Sequence, residues 1–318
     1  MRILVTGGAG FIGSNLVETL IEDPGISLVR VLDNLSTGNL MNIEKFFDSD
    51  KFEFVEGDIR DLNICQVCCK NIDAITHQAA LGSVPRSIND PITSHEVNTT
   101  GFLNILESAR QNGIMRIVYA SSSSVYGDSK KSPKIEAITG NVLSPYAASK
   151  MTNELYAEAF SRNFNMQIFG FRYFNVFGPK QNPNGPYAAV IPLFIKSALK
   201  NTRPVINGDG TITRDFTPVR NVVQINLKAL LSTHDVPFHH VLNVACGQSL
   251  KLIDLWNLIK KITGTEIEPI HNEIRAGDVL FSLADVSKAK TILGYEPDMD
   301  LKANLESTVK YYTNSELD

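Results

Sequence analysis

Short apolar runs alternate with amphipathic stretches through the first half of the chain. Runs rich in Val, Ile, Leu and Phe predict strands buried on both faces, and apolar residues at helical spacing predict helices. The predicted strands are Arg2–Val5, Leu28–Leu32, Phe52–Glu56, Ala74–His77, Arg116–Ala120 and Gln167–Arg172, and the predicted helices are Gly13–Ile21, Cys65–Lys70, Pro91–Gln111 and Tyr146–Phe164. This alternation is typical of an α/β protein with a parallel sheet covered by helices on both faces.

The pattern changes after Arg172. The stretch Asn175–Tyr187 is rich in Gly, Pro and Asn and predicts a long irregular connection. Helices are then predicted near residues 189–200, 222–231 and 252–263 and at the carboxyl terminus, with short strands between them. We therefore expect a sheet domain in residues 1–178 and a smaller, mixed α/β lobe in residues 179–318, with some later segments returning to the first domain.

Charge and composition exclude several classes of partner. The 318 residues include 30 Lys and Arg against 34 Asp and Glu, which gives a net charge of −4. This balance argues against nucleic acid as a partner and against a polybasic membrane anchor. No apolar run reaches the roughly 20 residues of a membrane span, and the first residues lack the pattern of a secretory signal. We expect a cytoplasmic protein.

The four cysteines do not predict a metal site. Cys65, Cys68 and Cys69 lie together in a predicted helix, without a second pair or a His at a spacing that would complete four ligands. Cysteines in such a helix pack as small hydrophobic residues. Together with Cys246 they fit a reducing compartment, and no metal is expected.

A glycine-rich turn follows the first predicted strand. Gly7 suits the tight turn, Gly10 lets the backbone approach a pyrophosphate, and Gly13 allows the helix to pack closely on the strand. The helix that begins here offers unpaired N–H groups and a partial positive charge to a phosphate. The spacing is G-x-x-G-x-x-G rather than G-x-G-x-x-G, but the strand–turn–helix context predicts a Rossmann-type, doubly wound dinucleotide domain.

Two acidic residues follow the next two predicted strands. Asp33 lies about 20 residues beyond the turn, where a carboxylate accepts hydrogen bonds from the adenosine ribose. Its charge would repel a 2′-phosphate, so NAD is favoured over NADP; a helix or turn cap is the alternative. Asp58 is placed either to reach the adenine amine or to serve as an ordinary turn residue.

Tyr146 and Lys150 are the candidate catalytic pair. Residues four apart lie on one helix face, with about 5–6 Å between Cβ atoms. A nearby ammonium favours the phenolate and brings the tyrosine pKa, ordinarily about 10, towards the working range. Such pairs are also common on helix surfaces. The serines at 121–124 follow the fifth strand and indicate either a polar loop or hydroxyls beside the tyrosine.

The combination of motifs resembles the extended short-chain dehydrogenase/reductases, and within them the UDP-hexose 4-epimerases. The resemblance covers nearly the whole chain and rests on residues 7–13, 122–127, 146–150, 172–178, 208–216 and 275–278. Two further stretches, 77–90 and 181–192, resemble the subgroup that acts on UDP-N-acetylhexosamines, most closely the UDP-N-acetylglucosamine 4-epimerases.

The resemblance implies roles for individual residues. Tyr146 would be the base, Lys150 would bind the nicotinamide ribose and lower the tyrosine pKa, Ser122 would bridge to the sugar, and Ser123 would supply a second hydroxyl contact. Tyr146 would take the O4 proton while C4 gives a hydride to a tightly bound NAD; the resulting 4-keto sugar would turn and be reduced on its other face. The implied cofactor contacts are Gly7, Gly10, Phe11, Ile12, Gly13, Asp33, Asn34, Gly38, Asp58, Ile59, Gln78, Ala79, Ala80, Asn98, Tyr146, Lys150 and Tyr173.

The substrate side rests on the same resemblance. Arg214 and Arg275 would bind the diphosphate, as bidentate guanidinium groups suit phosphate oxygens. Ser282 would leave room beside the sugar's C2 substituent, where a Tyr would admit only glucose and galactose. The remaining implied substrate contacts are Gly82, Ser83, Ser122, Ser124, Tyr146, Asn175, Gln181, Ala189, Val190 and Asp278.

Two departures from related patterns refine this interpretation. Ser123 and Ser124 stand where related 4,6-dehydratases carry Asp-Glu, and decarboxylases carry a nearby Glu, so epimerase chemistry is favoured. Pro218 lies where the family usually has a residue with a backbone donor, and we expect it to change strand pairing locally without affecting the chemistry.

Three hypotheses remain from the sequence. The first is an epimerase of UDP-GlcNAc and UDP-GalNAc that also accepts UDP-Glc and UDP-Gal, since a small gate does not exclude a smaller sugar. The second is a 4-epimerase of UDP-glucose, UDP-glucuronate or a UDP-pentose. The third is a non-catalytic NAD-binding sensor. Helices 91–111 and 146–164 resemble the pair that forms the family's dimer interface, although Phe102, Leu106 and Leu155 fit a core equally well.

Overall fold

A computed structural model describes residues 1–185, 188–232, 236–273 and 281–314, and a seven-stranded sheet dominates these ranges. The strands are β1 Arg2–Thr6, β2 Leu28–Asp33, β3 Phe52–Glu56, β4 Ala74–His77, β5 Arg116–Ser122, β6 Gln167–Tyr173, β7 Val176–Phe177, β8 Val205–Asn207, β9 Thr213–Arg214, β10 Thr217–Pro218, β11 Phe238–Val244, β12 Leu250–Lys251 and β13 Ile270–Asn272. The helices are α1 Phe11–Glu22, α2 Leu62–Cys69, α3 Val84–Asn89, α4 Pro91–His95, α5 Gly101–Gln111, α6 Pro145–Phe164, α7 Val190–Leu199, α8 Val219–Leu231, α9 Leu252–Thr263, α10 Ser287–Leu293 and α11 Leu301–Asn314.

The main sheet is parallel and has the order β11-β6-β5-β4-β1-β2-β3. Successive side chains of a strand point to opposite faces, so Ile3 and Val5 enter one apolar cluster while Leu4 enters the other. Helices α1 and α8 cover the first face, and α2 and α5 cover the second. The predicted doubly wound α/β fold is confirmed.

The strand order reverses between β1 and β4. After β1 the chain adds β2 and β3 on one side, and then returns to place β4 on the other side. The loops that leave the carboxyl ends of β1 and β4 therefore diverge and leave a crevice, which is where open α/β sheets bind ligands. Gly7 and Ala79 line the crevice from these two loops.

Two elements from the second half of the chain belong to the main sheet and its helical cover. Strand β11 pairs with β6 over its whole length, with Phe238 opposite Gln167 and Val244 opposite Tyr173, and α8 packs against α1. The second apolar centre lies among α7, α9 and α11, around Phe194, Trp256 and Leu305. The division of the chain at residue 178 stays a prediction. Elements that follow this residue, β11 and α8, pack against β6 and α1, which precede it.

The predicted helix 91–111 is wrong in one respect. The structure has two helices, α4 and α5, joined by a π-type turn over Glu96–Thr100. A π-type turn widens the backbone and re-aims the side chain that it carries. Here it carries Asn98, whose amide bonds both the N–H and the C=O of Leu81, so the turn serves a contact with a neighbouring loop.

The structure also bears on the expectations for the cysteines, for Pro218, for membrane spans and for metal ligands. The cysteines of α2 are buried in the core on the α2–α5 face. Pro218 lies in β10, which pairs with β7. In the described part of the chain, no helix is long and apolar enough to cross a membrane, and no group of three or more His, Cys, Asp or Glu side chains is arranged to hold a metal ion.

Candidate functional site

The turn between β1 and α1 is built for close approach of backbone. Gly7 has a φ of 70°, and a Cβ there would lie 2.7 Å from the backbone of Ala79. A Cβ on Gly13 would lie 2.0 Å from the carbonyl oxygen of Gly7. Both positions therefore require glycine. Gly10 caps α1 without a side-chain hydrogen bond, so the first N–H groups of the helix remain available to a ligand.

A cavity of about 380 Å³ opens above this turn. It extends across the ends of β1, β2, β3 and β4, as the crevice of an open sheet does. Predicted site residues that line it are Gly7, Gly10, Phe11, Ile12, Gly13, Asp33, Asn34, Asp58, Ile59, Gln78, Ala79, Ala80, Gly82 and Gln181; Leu32, Ser36, Thr37, Gly57, Leu81 and Val97 line it without having been predicted. Ser36 and Thr37 lie between two predicted contacts, so sequence position alone could have found them.

The two carboxylates at the rim differ in their partners. Asp33 is 8% exposed and accepts hydrogen bonds from the N–H groups of Ala9 and Leu35, each at 2.9 Å. Burial raises its pKa, and the backbone N–H groups oppose that effect. Asp58 accepts from Arg60 and from Asn34, and chiefly the Arg60 guanidinium lowers its pKa to about 2.

Gly38 lies beside Asp33 without lining the cavity. A Cβ on Gly38 would lie 3.1 Å from Asp33 Oδ1 and 3.0 Å from Ala9. A side chain there would crowd the carboxylate, and the cofactor role of Gly38 stays a prediction.

Ser122 and Tyr146 meet at the carboxyl end of β5. Ser122 Oγ accepts a hydrogen bond from the N–H of Ser124 at 3.1 Å, which leaves its own proton to be donated. The Ser122 side chain lowers the pKa of the Tyr146 phenol, but burial is the larger effect and raises it. Ser124 Oγ is buried without a hydrogen-bond partner among the described residues.

Lys150 lies one turn further along α6 and is 2% exposed. Its Nζ donates to the Ala120 carbonyl at 2.8 Å and lies 5.9 Å from the centre of the Tyr146 ring. Burial lowers the lysine pKa to about 8. Among the protein groups alone, then, the tyrosine pKa is raised rather than lowered, because the phenol loses hydration on burial.

A buried polar network supports the cavity floor. Tyr173 donates its hydroxyl to Gln78 Oε1 at 3.3 Å and accepts from Asn226 Nδ2 at 2.9 Å. Gln78 Nε2 also donates to Thr76 Oγ1 at 2.8 Å. Tyr173 therefore fixes the amide of Gln78, which lines the cavity.

A buried ion pair lies on the face of β5 opposite to Ser122. Arg172 forms two hydrogen bonds with the Glu154 carboxylate, at 2.8 and 2.9 Å, and Ser121 Oγ donates to the same carboxylate at 2.6 Å. The pair ties α6, which carries Tyr146, to β5 and β6, and removing one partner would leave a buried charge unpaired.

The predicted substrate residues are spread over several segments. Ser83 caps α3, Ala189 and Val190 lie at the start of α7, and Ser282 is half-buried. Asn175 Nδ2 donates to the Asp215 carbonyl at 3.0 Å, and Arg214 Nη1 donates to the Thr213 carbonyl at 2.9 Å. Arg275 and Asp278 lie outside the described residues. The structure thus brings most of the predicted cofactor residues together around one cavity, which Asn98, Tyr146, Lys150 and Tyr173 do not line. The cofactor and substrate roles of individual residues stay predictions.

Asp215, a neighbour of Arg214, was not predicted as a site residue. Its carboxylate is fully buried and accepts the N–H groups of Cys246, Gly247 and Ala284 at 3.0 to 3.2 Å. Burial raises its pKa to about 6. Its contact with Ala284 joins the strand of Arg214 to the segment that carries Ser282. A single Asp inside a motif does not predict such a contact.

Comparisons with known proteins match this architecture. The family described as the NAD dependent epimerase/dehydratase family matches residues 3–245. A putative UDP-glucose 4-epimerase of Methanocaldococcus jannaschii is 39% identical over 315 residues, covering 98% of this chain and 99% of that protein. Its similarity to this chain therefore extends over nearly the whole chain.

Two solved structures are similar over nearly the whole chain. One is UDP-N-acetylglucosamine 4-epimerase from Methanobrevibacter ruminantium M1 in complex with UDP-N-acetylmuramic acid, with a TM-score of 0.92, 35% identity and 98% of both chains covered. The other is UDP-glucose 4-epimerase of Thermus thermophilus in complex with NAD, with a TM-score of 0.87, 31% identity, and 99% of this chain and 100% of that chain covered. With its glycine turn, parallel sheet and Ser–Tyr–Lys cluster, this chain belongs to the NAD dependent epimerase/dehydratase family.

Proposed function

We propose that this protein interconverts UDP-N-acetylglucosamine and UDP-N-acetylgalactosamine at carbon 4. It is a UDP-sugar 4-epimerase, and NAD is its cofactor. The observation that carries the epimerase part of this proposal is the cluster of Ser122, Tyr146 and Lys150 at the carboxyl end of β5. A non-catalytic sensor would have no use for a base held in this way.

The chain's own residues account for the proton steps. Ser122 has one lone pair engaged by Ser124, so it can bridge the phenol of Tyr146 and the sugar hydroxyl. Tyr146 takes the proton from O4 and later returns it. NAD, when bound, supplies reversible hydride transfer at carbon 4. The ammonium of Lys150 has three N–H groups, of which Ala120 takes one, and a further N–H would be directed to the nicotinamide ribose.

The turn between β1 and α1 fits a dinucleotide, because its glycines leave the backbone open where a pyrophosphate would lie. We expect NAD to stay bound through purification, since epimerisation returns the cofactor to its starting state. Denatured protein should release close to stoichiometric NAD, measured enzymatically in the supernatant. Purified protein that contains no NAD and binds none would contradict retention.

A matched pair of glycine variants tests the site of retention. Gly7 and Gly113 both have a φ near 70°, but a Cβ on Gly113 meets open space whereas a Cβ on Gly7 meets Ala79. Gly7→Ala should therefore lose most of its NAD, and Gly113→Ala, which carries the same backbone strain, should keep it.

Substrate choice is the finer part of the proposal. Ser282 is small and half-buried, which supports space for an N-acetyl group, and one similar structure is a UDP-N-acetylglucosamine 4-epimerase. Other relatives carry the name UDP-glucose 4-epimerase, so a 4-epimerase of UDP-glucose is the alternative that the comparisons favour most. UDP-glucuronate and UDP-pentoses are the other alternative substrates, and comparing their kcat/KM values with that of UDP-N-acetylglucosamine tests them.

We also propose a homodimer formed through α4 and α6. These helices pack side by side. They carry Ile92 and Leu155, which are 69% and 66% exposed, while Phe102 and Leu106 are buried in the core.

Leu155→Arg should convert the dimer to a monomer in sedimentation velocity runs. Met41→Arg, at a side chain that is 72% exposed elsewhere on the surface, is the control and should leave the dimer intact. A wild-type monomer would overturn the proposal. A cytoplasmic location stays a prediction.

A further inference from the structure

A buried serine outside the predicted site contacts the backbone of the catalytic tyrosine. Ser87 lies in α3 and is fully buried. Its Oγ accepts a hydrogen bond from the N–H of Tyr146 at 3.0 Å and donates one to the Val84 carbonyl at 2.8 Å. Both hydrogen-bonding functions of the hydroxyl are therefore engaged, and one of them holds the peptide that precedes the Tyr146 side chain.

The contact fills a specific gap at the start of α6. Pro145 is the first residue of the helix, Tyr146 the second and Ala147 the third. The first N–H groups of a helix have no partner within it, and the capping side chain satisfies one of them. Here Ser144 caps Ala147 at 3.1 Å. The N–H of Tyr146 is served instead by Ser87, from a different helix.

The carbonyl side of Tyr146 is tied to the same segment. Ser149 Oγ donates to the Tyr146 carbonyl at 2.8 Å, and Asn98 Nδ2 donates to Ser149 Oγ at 3.3 Å. Asn98 Oδ1 in turn accepts from the N–H of Leu81 at 2.8 Å. Both ends of the tyrosine residue therefore connect to the segment that runs from Leu81 to Ser87.

That segment also faces the cavity. Leu81 and Gly82 line it, and Ser83 caps α3 with its side chain, which accepts from the N–H of Arg86 at 3.2 Å. Gly82 and Ser83 are also the predicted contacts to the N-acetyl side of the sugar. The base and the sugar-facing turn are thus parts of one hydrogen-bonded unit rather than two independently placed elements.

We propose that Ser87 is a positioning residue, which fixes Tyr146 relative to the Leu81–Ser83 turn and so sets the distance from the phenol to the sugar. This inference rests on the proposed epimerase function. Ser87 touches neither the cavity nor the reacting atoms, and it acts through the start of α6. Small displacements of a catalytic group reduce turnover more than binding, so its loss should appear in kcat rather than in KM.

Ser87→Ala tests the proposal, with Ser94→Ala as the matched control. Ser94 is also a buried helical serine, but its hydroxyl has no hydrogen-bond partner among the described residues. Ser87→Ala should lower kcat on the order of tenfold to a hundredfold, leave KM within about threefold and retain NAD. The pH dependence of kcat should also shift, because the phenol moves relative to Ser122. Ser94→Ala should match the wild type.

Two outcomes would overturn the proposal. An unchanged kcat with a lowered Tm would show that Ser87 only stabilises the fold. A fall in kcat that matches a loss of bound NAD would show that it acts through the cofactor. Each variant is assayed with whichever of UDP-glucose and UDP-N-acetylglucosamine the wild type turns over faster. A wild type confined to UDP-glucose would thus refute the proposed N-acetyl specificity while leaving the Ser87 comparison intact.

A readout without substrate completes the test. Amide hydrogen exchange over residues 145–150 should be faster in Ser87→Ala than in the wild type, since the Tyr146 N–H loses its acceptor. Exchange as slow as in the wild type would mean that the amide finds another partner, and would overturn the positioning role even if neither UDP-sugar is a substrate.

Discussion

Tyr146→Phe is expected to lower kcat by about 10²–10⁴-fold, the range that a positioned general base contributes. The phenol is the group whose pKa the Ser122 side chain lowers, and phenylalanine keeps the ring while removing the atom that accepts the proton. The fold should be unaffected, because the backbone contacts of Tyr146 to Ser87 and Ser149 do not involve the hydroxyl. Initial rates of UDP-sugar interconversion, followed by chromatography, measure the effect.

A tyrosine beside the apolar cluster of α7, α9 and α11 supplies the control. Tyr311 lies in α11 and packs against Tyr312, away from Ser122 and Lys150. Tyr311→Phe should leave kcat unchanged, and both variants should contain as much NAD as the wild type. Near-normal turnover by Tyr146→Phe would remove this residue from the role of base and return the Ser122 cluster to a structural one.

Ser282→Tyr is expected to lower kcat/KM for UDP-N-acetylglucosamine by about 10- to 100-fold, in line with the cost of forcing extra volume into a packed site. UDP-glucose, which lacks the acyl group, should lose little. The informative quantity is the ratio of the two kcat/KM values, because a general disturbance would lower both.

Ser287→Tyr serves as the control for the added ring. Ser287 is exposed at the start of α10, five residues further along the chain. It should leave the ratio unchanged. If Ser282→Tyr also leaves the preference for UDP-N-acetylglucosamine unaltered, then Ser282 is not the gate, and substrate choice must be assigned to another residue. A wild type without that preference would favour the UDP-glucose alternative.

The convergence of the predicted cofactor residues on one cavity could be foreseen because it follows from topology. The carboxyl ends of parallel strands meet at one edge, so Gly7, Asp33 and Gln78 converge although they come from different strands. Each of these residues lies at or just after the end of a predicted strand, so their convergence can be predicted from the sequence. The glycines add to it, since their positions require backbone approaches that other residues would obstruct.

Other parts of the structure depend on long-range contacts that a linear pattern does not contain. Strand β11 mixes His239 and His240 with apolar residues, so its alternation does not indicate a place in the main sheet. The turn at Asn98 contains Val, Asn and Thr, which are weak helix formers, but no pattern in the sequence specifies a π-type turn. Its contact with Leu81 is visible only in the structure. The raised pKa of Tyr146 comes from burial, which residue spacing does not reveal.

The return of the chain to β11 has a consequence for biosynthesis. A growing polypeptide that has reached residue 178 contains the glycine turn, Asp33, Tyr146 and Lys150, yet it still lacks α8 and β11. Its β6 strand would present an open edge, and α1 would expose the apolar side that α8 covers in the finished protein. The β6 edge and the apolar side of α1 are therefore both covered only once the chain has been synthesised through Val244.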